Sequence, residues 1–243
     1  MLILINLDSA LARRAAMEAQ LQAAGLAAER VGIDLRGVAR DHAREMARLA
    51  FPAFRFGGLL SAPEIGCWLS HLTAWQRAID ARVPACTVVE DDVVLQPHFA
   101  EAHRQLTREA LHDVAYLGTS SRNISMRRPE RCGPFHLHRP IGSILNTWGY
   151  VVRTEFAARF LAAGGPVTRP IDHVIGGGSR RCRPGVAVLL PPAVRENAMV
   201  ASESQIAPFT GRPDRAVLVE ELRRKFLSSR LGDAYYAAVT RLF

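Results

Sequence analysis

Three consecutive acids, Glu90-Asp91-Asp92, stand between the apolar pairs Val88-Val89 and Val93-Val94. Carboxylates delivered together raise one another's pKa unless something neutralises them. A divalent cation can do this. Hard ions such as Mg2+ and Mn2+ prefer oxygen donors and typically take one or two carboxylates plus the phosphates of a substrate. Held there, the ion acts as a Lewis acid on a leaving diphosphate, where charge builds up in the transition state. A solvated acidic turn after a strand accounts for three acids equally well, so the residues alone leave both readings open.

The surrounding pattern says what must position these acids. Leu2-Ile3-Leu4-Ile5 is a continuous apolar run ending in Asn6-Leu7-Asp8, as expected of a strand buried on both faces. Ser9 stands where it could cap a helix over Ala10 to Ala24, with Gly25 as its stop, and Ala28 to Ile33 reads as a second strand. Strand, helix and strand within about thirty residues make a βαβ unit. A charged helix is expected around Asp41 to Leu49, then a loop at Phe56-Gly57-Gly58. Ser61-Ala62-Pro63-Glu64 is a capping box opening a helix that runs to about Ala81.

Ala85 to Val89 is the strand that delivers the acids. Helices near Gln96 to Ala110 and Glu155 to Ala163, and strands at Asp113 to Leu117, Asn146 to Val152 and Val186 to Leu190, complete the alternation. Residues 121–139 read as irregular, and Pro170-Ile171-Asp172-His173 lies near a helix start. Repeated βα units predict an open sheet covered by helices on both faces, with ligands bound beyond the carboxyl ends of the strands. Asn6/Asp8 and Glu90/Asp91/Asp92 both fall at such ends.

Composition narrows the class. The 243 residues are 49% hydrophobic and 22% charged, the balance of a soluble domain able to bury its own core. The four cysteines, Cys67, Cys86, Cys132 and Cys182, form no C-x-x-C pair, which argues against a zinc cluster and a disulfide scaffold and for reduced thiols. The opening residues lack the basic stretch of a secretory signal, and no run approaches the ~20 apolar residues of a membrane span. A cytoplasmic location is expected. The net charge of +8 is almost all arginine, Lys225 being the only lysine, and suits anionic partners or simply a GC-rich genome.

EIGCWLSH at Glu64 to His71, followed some twenty residues later by VVEDDV at Val88 to Val93, resembles glycosyltransferase family 25, the lipooligosaccharide-type sugar transferases. The opening ILINLD with Arg13-Arg14, Trp75, AYLG at Ala115 to Gly118, NTWGYVV at Asn146 to Val152 and PID at Pro170 to Asp172 extend the likeness from Ile3 to about Ile206. The resemblance implies an α/β, GT-A-like fold with a Rossmann-type, open, mostly parallel sheet. It further implies inverting transfer of a hexose, most commonly galactose from UDP-galactose, onto a lipid-linked or cell-surface saccharide.

On that likeness Asn6, Leu7 and Arg13 lie beside the uridine and its phosphates. Glu64, Ser70, His71 and Glu90 line the donor site, and Asp91 and Asp92 hold the metal diphosphate. Inversion also needs a base for the acceptor hydroxyl. Asp172, an isolated acid after a proline, is the first choice and Glu64 the second.

Other signals have plainer readings. His136-Leu137-His138 lacks a third metal ligand and reads as a surface loop. Gly176-Gly177-Gly178 follows no clear strand and reads as a flexible loop rather than a phosphate cradle. The expected domains are a transferase domain, 1–213, and a basic amphipathic tail, 214–243. In the tail Leu218, Leu222 and Phe226 share one helix face, suited either to an anionic membrane surface or to closing the domain.

Two rival functions remain. A nucleotidyltransferase also uses paired acids but needs a Gly-rich phosphate loop near the N-terminus, where Asn6-Leu7-Asp8-Ser9 stands instead. A nucleic-acid module would interleave arginines with aromatics, yet aromatics are only 7% and do not cluster with the arginines. No nucleic-acid partner is expected.

Overall fold

The computed structural model describes residues 1–198 apart from 58–59, 121–123, 143, 145 and 179–184. The expected tail at 214–243 lies outside the described residues.

The apolar run at the N-terminus is β1 (Leu2–Ile5), followed by α1 (Leu11–Ala23) and β2 (Glu29–Val31). Then come α2 (Arg40–Ala50), β3 (Phe54–Phe56), α3 (Ala62–Asp80), β4 (Ala85–Glu90), β5 (Val93–Leu95) and α4 (Phe99–Glu109). β6 (Val114–Tyr116), β7 (Glu130–Cys132), β8 (Phe135–His138), β9 (Gly149–Arg153), α5 (Thr154–Ala163) and β10 (Gly165–Val167) follow. The described chain closes with α6 (Ile171–His173), β11 (Val186–Leu190) and β12 (Val194–Glu196).

Eight strands form one sheet in the order β2-β1-β4-β9-β6-β11-β8-β7. The pairings leave β9 and β8 opposed to the other six, which all run one way, so the sheet is mostly parallel as expected. β9 enters antiparallel between β4 and β6 and joins the two halves of the sheet. Two small pairs, β3 with β10 and β5 with β12, stand outside it.

Alternation along the central strands builds a core on each face. Ile3, Cys86, Val88, Tyr150 and Val152 pack with Trp68, Leu72 and Trp75 of α3 and with Phe156 and Phe160 of α5. Leu2, Leu4, Ala85, Val89 and Val151 pack with Met17 and Leu21 of α1 and with Phe99 and Leu106 of α4. Covered on both sides, β1 and β4 are almost wholly apolar before their final residues; the exception, Thr87 of β4, is fully buried and hydrogen-bonded to His103 Nδ1 at 2.7 Å.

The capping box of α3 forms as expected. Ser61 Oγ accepts from the Glu64 N–H, and Glu64 Oε2 accepts from the Ser61 N–H at 2.9 Å. Four local expectations are corrected. Ser9 does not cap α1; its hydroxyl accepts from Arg36, and Ala10 occupies the cap position. The stretch taken as irregular contains the β7–β8 hairpin, turned at Gly133 with φ +57° and alternating buried Phe135, exposed His136 and buried Leu137. His136 and His138 therefore lie on a strand, not in a loop. Gly176 belongs to a π-helical turn, Val174–Gly178, and its carbonyl accepts from the Ile144 N–H at 3.0 Å.

Candidate active site

Period-two alternation at the end of β4 separates the acids. Glu90 follows Cys86 and Val88 onto the α3 face, whereas Asp91 follows Ala85 and Val89 onto the α1 face. Each acid meets a different set of partners.

Asp91 is clamped on both oxygens. Asn6 Nδ2, from the residue just beyond β1, donates to Asp91 Oδ2 at 2.6 Å and also reaches the Ala10 carbonyl at 3.2 Å. Arg13 of α1 lies 3.3 Å from Asp91 Oδ1. Burial still holds the Asp91 carboxyl above its ordinary range, against the pull of Asn6 and Arg13. Arg30 of β2 donates to the Asn6 carbonyl at 3.2 Å and pairs with Asp8, so β1, α1 and β2 together fix the end of β1. Gly32 completes that junction: a Cβ there would meet the Asn6 carbonyl oxygen at 2.0 Å, so only hydrogen lets the two backbones approach.

Glu90 is held from the other side. The Thr147 hydroxyl donates to its Oε1, and His71 Nε2 stands 3.3 Å from the same oxygen. His71 is fully buried in α3, with Nδ1 bonded to the Tyr150 hydroxyl at 2.7 Å, and that hydroxyl also accepts from Trp75 Nε1 at 3.0 Å. Burial pushes the Glu90 carboxyl up, but His71 and Thr147 outweigh it and bring the group below its ordinary range. His71 and Trp75, four residues apart, thus share one helix face and one partner.

Asp92 is the least compensated of the three, with Arg13 and a backbone hydrogen bond outweighed. Its Oδ1 is buried and has no hydrogen-bond partner among the described residues. Burial first, then Glu90 and Asp91, push its carboxyl up to about 7. An acid left short of positive charge at a strand end fits a hard divalent cation, and Asp92 is the residue that would hold it, with Asp91 beside it.

The remaining expected residues divide into two groups. Asp172 opens α6 and accepts from the N–H groups of Asn146 at 3.2 Å and His173 at 2.8 Å, which fixes its carboxylate. Glu64 is buried, with Oε2 committed to the capping box. Glu90, Asp172, Glu64 and Asp92 all act on the thiol of Cys67 which, pushed up first by burial, lies well above its ordinary range. These four acids thus stand around Cys67.

Ser70 and Leu7 serve as supports. Ser70 Oγ donates to the Gly66 carbonyl and accepts from the Ile33 N–H at 3.0 Å, tying α3 to the end of β2. The Leu7 carbonyl accepts from the Ala10 N–H at 2.9 Å.

Reading single residues missed Asn146 and Thr147. Asn146 holds φ at +99°, a strained conformation for a side-chain-bearing residue, while donating to Asp172 and, through Nδ2, to Ser120. Strain beside an acid cluster marks a functional site, but it is invisible without backbone angles.

A GT-A-like sheet that gathers acids and an arginine at its strand ends is the architecture of a glycosyltransferase. Residues 1–175 match the family model of Glycosyltransferase family 25 (LPS biosynthesis protein), and the chain belongs to that family. A "Glycosyltransferase 25 family member" of Drosophila pseudoobscura pseudoobscura is 27% identical over 186 residues, 72% of this chain and 28% of that protein. "Procollagen galactosyltransferase 1" of Danio rerio is 27% identical over 128 residues, 49% of this chain and 20% of that protein. "Procollagen galactosyltransferase 2" of Homo sapiens is 28% identical over 109 residues, 43% of this chain and 17% of that protein. The chain therefore spans under a third of the length of these curated relatives. Its family calls for a sugar donor and a saccharide acceptor, and suggests a nucleotide sugar as the donor.

Proposed function

We propose that the chain transfers a hexose, galactose from UDP-galactose, onto a lipid-linked or cell-surface saccharide with inversion at the anomeric carbon. The galactosyltransferase names of two relatives support the choice of sugar. The observation that carries the reading is Asp92: a half-buried carboxylate beside Asp91 whose buried Oδ1 has no hydrogen-bond partner among the described residues, at the strand end where Asn6 and Arg13 converge.

Mn2+ or Mg2+ bound at Asp92 would supply Lewis-acid stabilisation of the departing diphosphate. The chain's own groups do the rest. Asn6 and Arg13 hold Asp91 and present amide and guanidinium donors at the edge of the phosphate site. Thr147 and His71 fix Glu90 on the opposite side of the strand. Asp172, oriented by two backbone N–H groups, takes the proton of the acceptor hydroxyl as that oxygen bonds to the anomeric carbon and the UDP oxygen leaves. Glu64 is the second choice for this base, its Oε2 already accepting from Ser61.

Incubating the protein with a panel of nucleotide sugars and Mn2+ tests the donor. Slow hydrolysis of UDP-galactose above the other sugars, lost in Asp92→Asn, is expected. Equal inertness toward every UDP-sugar would overturn the reading.

A further inference from the structure

The geometry points to a second cation site, built for a thiophilic divalent ion of the zinc class, from Cys67 and His71 of α3 and Glu90 of β4. Donor atoms of these three side chains lie within 4.8 Å of one another. Cys67 and His71 are four residues apart on one helix and so project from the same face. Glu90 meets them from the strand end. Sulfur, imidazole nitrogen and one carboxylate oxygen form a donor set suited to zinc, whereas Asp92 offers only oxygen.

His71 provides an independent observation. Its ring is fully buried, and Nε2 makes no hydrogen bond of good geometry among the described residues; it faces Glu90 Oε1 at 3.3 Å, the third donor of the set. The opposite nitrogen, Nδ1, is bonded to the Tyr150 hydroxyl at 2.7 Å, and Trp75 Nε1 fixes that hydroxyl in turn. With Nδ1–H donating to that hydroxyl, this is the kind of outer bond that orients a metal-binding imidazole and presents Nε2 to an ion.

Donors around a tetrahedral zinc sit roughly 3.5 Å apart, so closure needs a movement of about 1 Å, within reach of the Cys67 and Glu90 side-chain ends. Cys67 and Glu90 are each partly exposed, which gives the ion a path from solvent. On binding, the thiol gives its proton to solvent and the thiolate bonds to the ion; the cation's charge offsets the surrounding carboxylates that oppose this ionisation. Three protein ligands leave a fourth position open to water. An ion seated here competes with Thr147 for Glu90, so it acts as an inhibitor of transfer rather than its cofactor.

Co2+ titration of the metal-free full chain tests the site. The native protein should show a thiolate-to-cobalt charge-transfer band and the intense visible bands of four-coordinate cobalt. Cys67→Ser and Cys67→Ala should each lose the charge-transfer band while melting like the native protein. Zn2+ should reduce Mn2+-supported donor turnover by about tenfold or more in the native protein and by less than about twofold in Cys67→Ser. Absence of the band in the native protein, or a band of equal intensity in both Cys67 variants, overturns the proposal. The spectrum is read without any sugar donor, so failure of the UDP-galactose reading leaves this site standing, and the reverse also holds.

Discussion

Asp92 is where stability and chemistry conflict. Its carboxyl is raised from 3.8 to about 7 by burial and by two neighbouring acids. An acid whose folded pKa exceeds its unfolded value stabilises the fold fully below the unfolded value. That contribution is lost as pH rises through the folded value. Metal-free protein should therefore lose stability between about pH 4 and pH 7 through this residue. Asp92→Asn should abolish the loss, so its melting advantage over the native protein grows from pH 5 to pH 8, on the order of 1 kcal/mol or more at the upper end. The same variant should lower transfer by about 100-fold or more, the scale seen when a charge-stabilising group is removed. A variant that melts like the native protein at every pH would show that Asp92 is solvated.

α3 carries most of the site's positioning. Its capping box fixes Glu64, Gly66 and Ser70 dock it on the end of β2, and His71 and Trp75 reach Tyr150 of β9. A Cβ at Gly66 would meet the Ile33 carbonyl oxygen at 2.6 Å. Gly66→Ala should therefore cost about 1–3 kcal/mol by overpacking and push the segment after β2 away from Asn6. Thermal melts would show the first effect and weakened UDP binding the second; unchanged UDP affinity would show that this junction does not shape the nucleotide site. Trp75→Phe keeps the packing against Phe156 and Phe160 but removes the donor to Tyr150. It should cost about 1 kcal/mol, read from denaturant midpoints.

Ligand binding at one edge of a two-faced sheet stabilises the whole domain, because the strands that end at the site are the ones buried by both cores. UDP with Mn2+ at about 100 times its dissociation constant should add about 2.7 kcal/mol to the stability of the fold. For a chain of this size that corresponds to a rise in melting temperature of roughly 5–10 °C. Either component alone should give less, because the diphosphate and the carboxylates each need the cation to offset their charge. No shift with the pair would count against a UDP-sugar enzyme. Among the described residues no helix is long and apolar enough to cross a membrane.

The chain's own letters determined the alternation of strands and helices, the capping box of α3 and the placing of polar clusters at strand ends. These depend on short-range rules: runs of apolar residues, a serine three before a glutamate, glycine at a stop. The β7–β8 hairpin was legible in principle, since Phe135, His136 and Leu137 alternate, but three residues are too few to outweigh the prolines and arginines around them. Tertiary structure decided which acid does what. Glu90, Asp91 and Asp92 are neighbours in sequence, yet alternation and packing give the first to His71 and Thr147 and the second to Asn6 and Arg13, leaving the third with only part of the pull of Arg13 to offset its acidic neighbours. It also decided that Asn146 is strained and that Cys67 stands beside Glu90. Those facts depend on contacts between residues far apart in the chain, where no local pattern reports charge balance or burial.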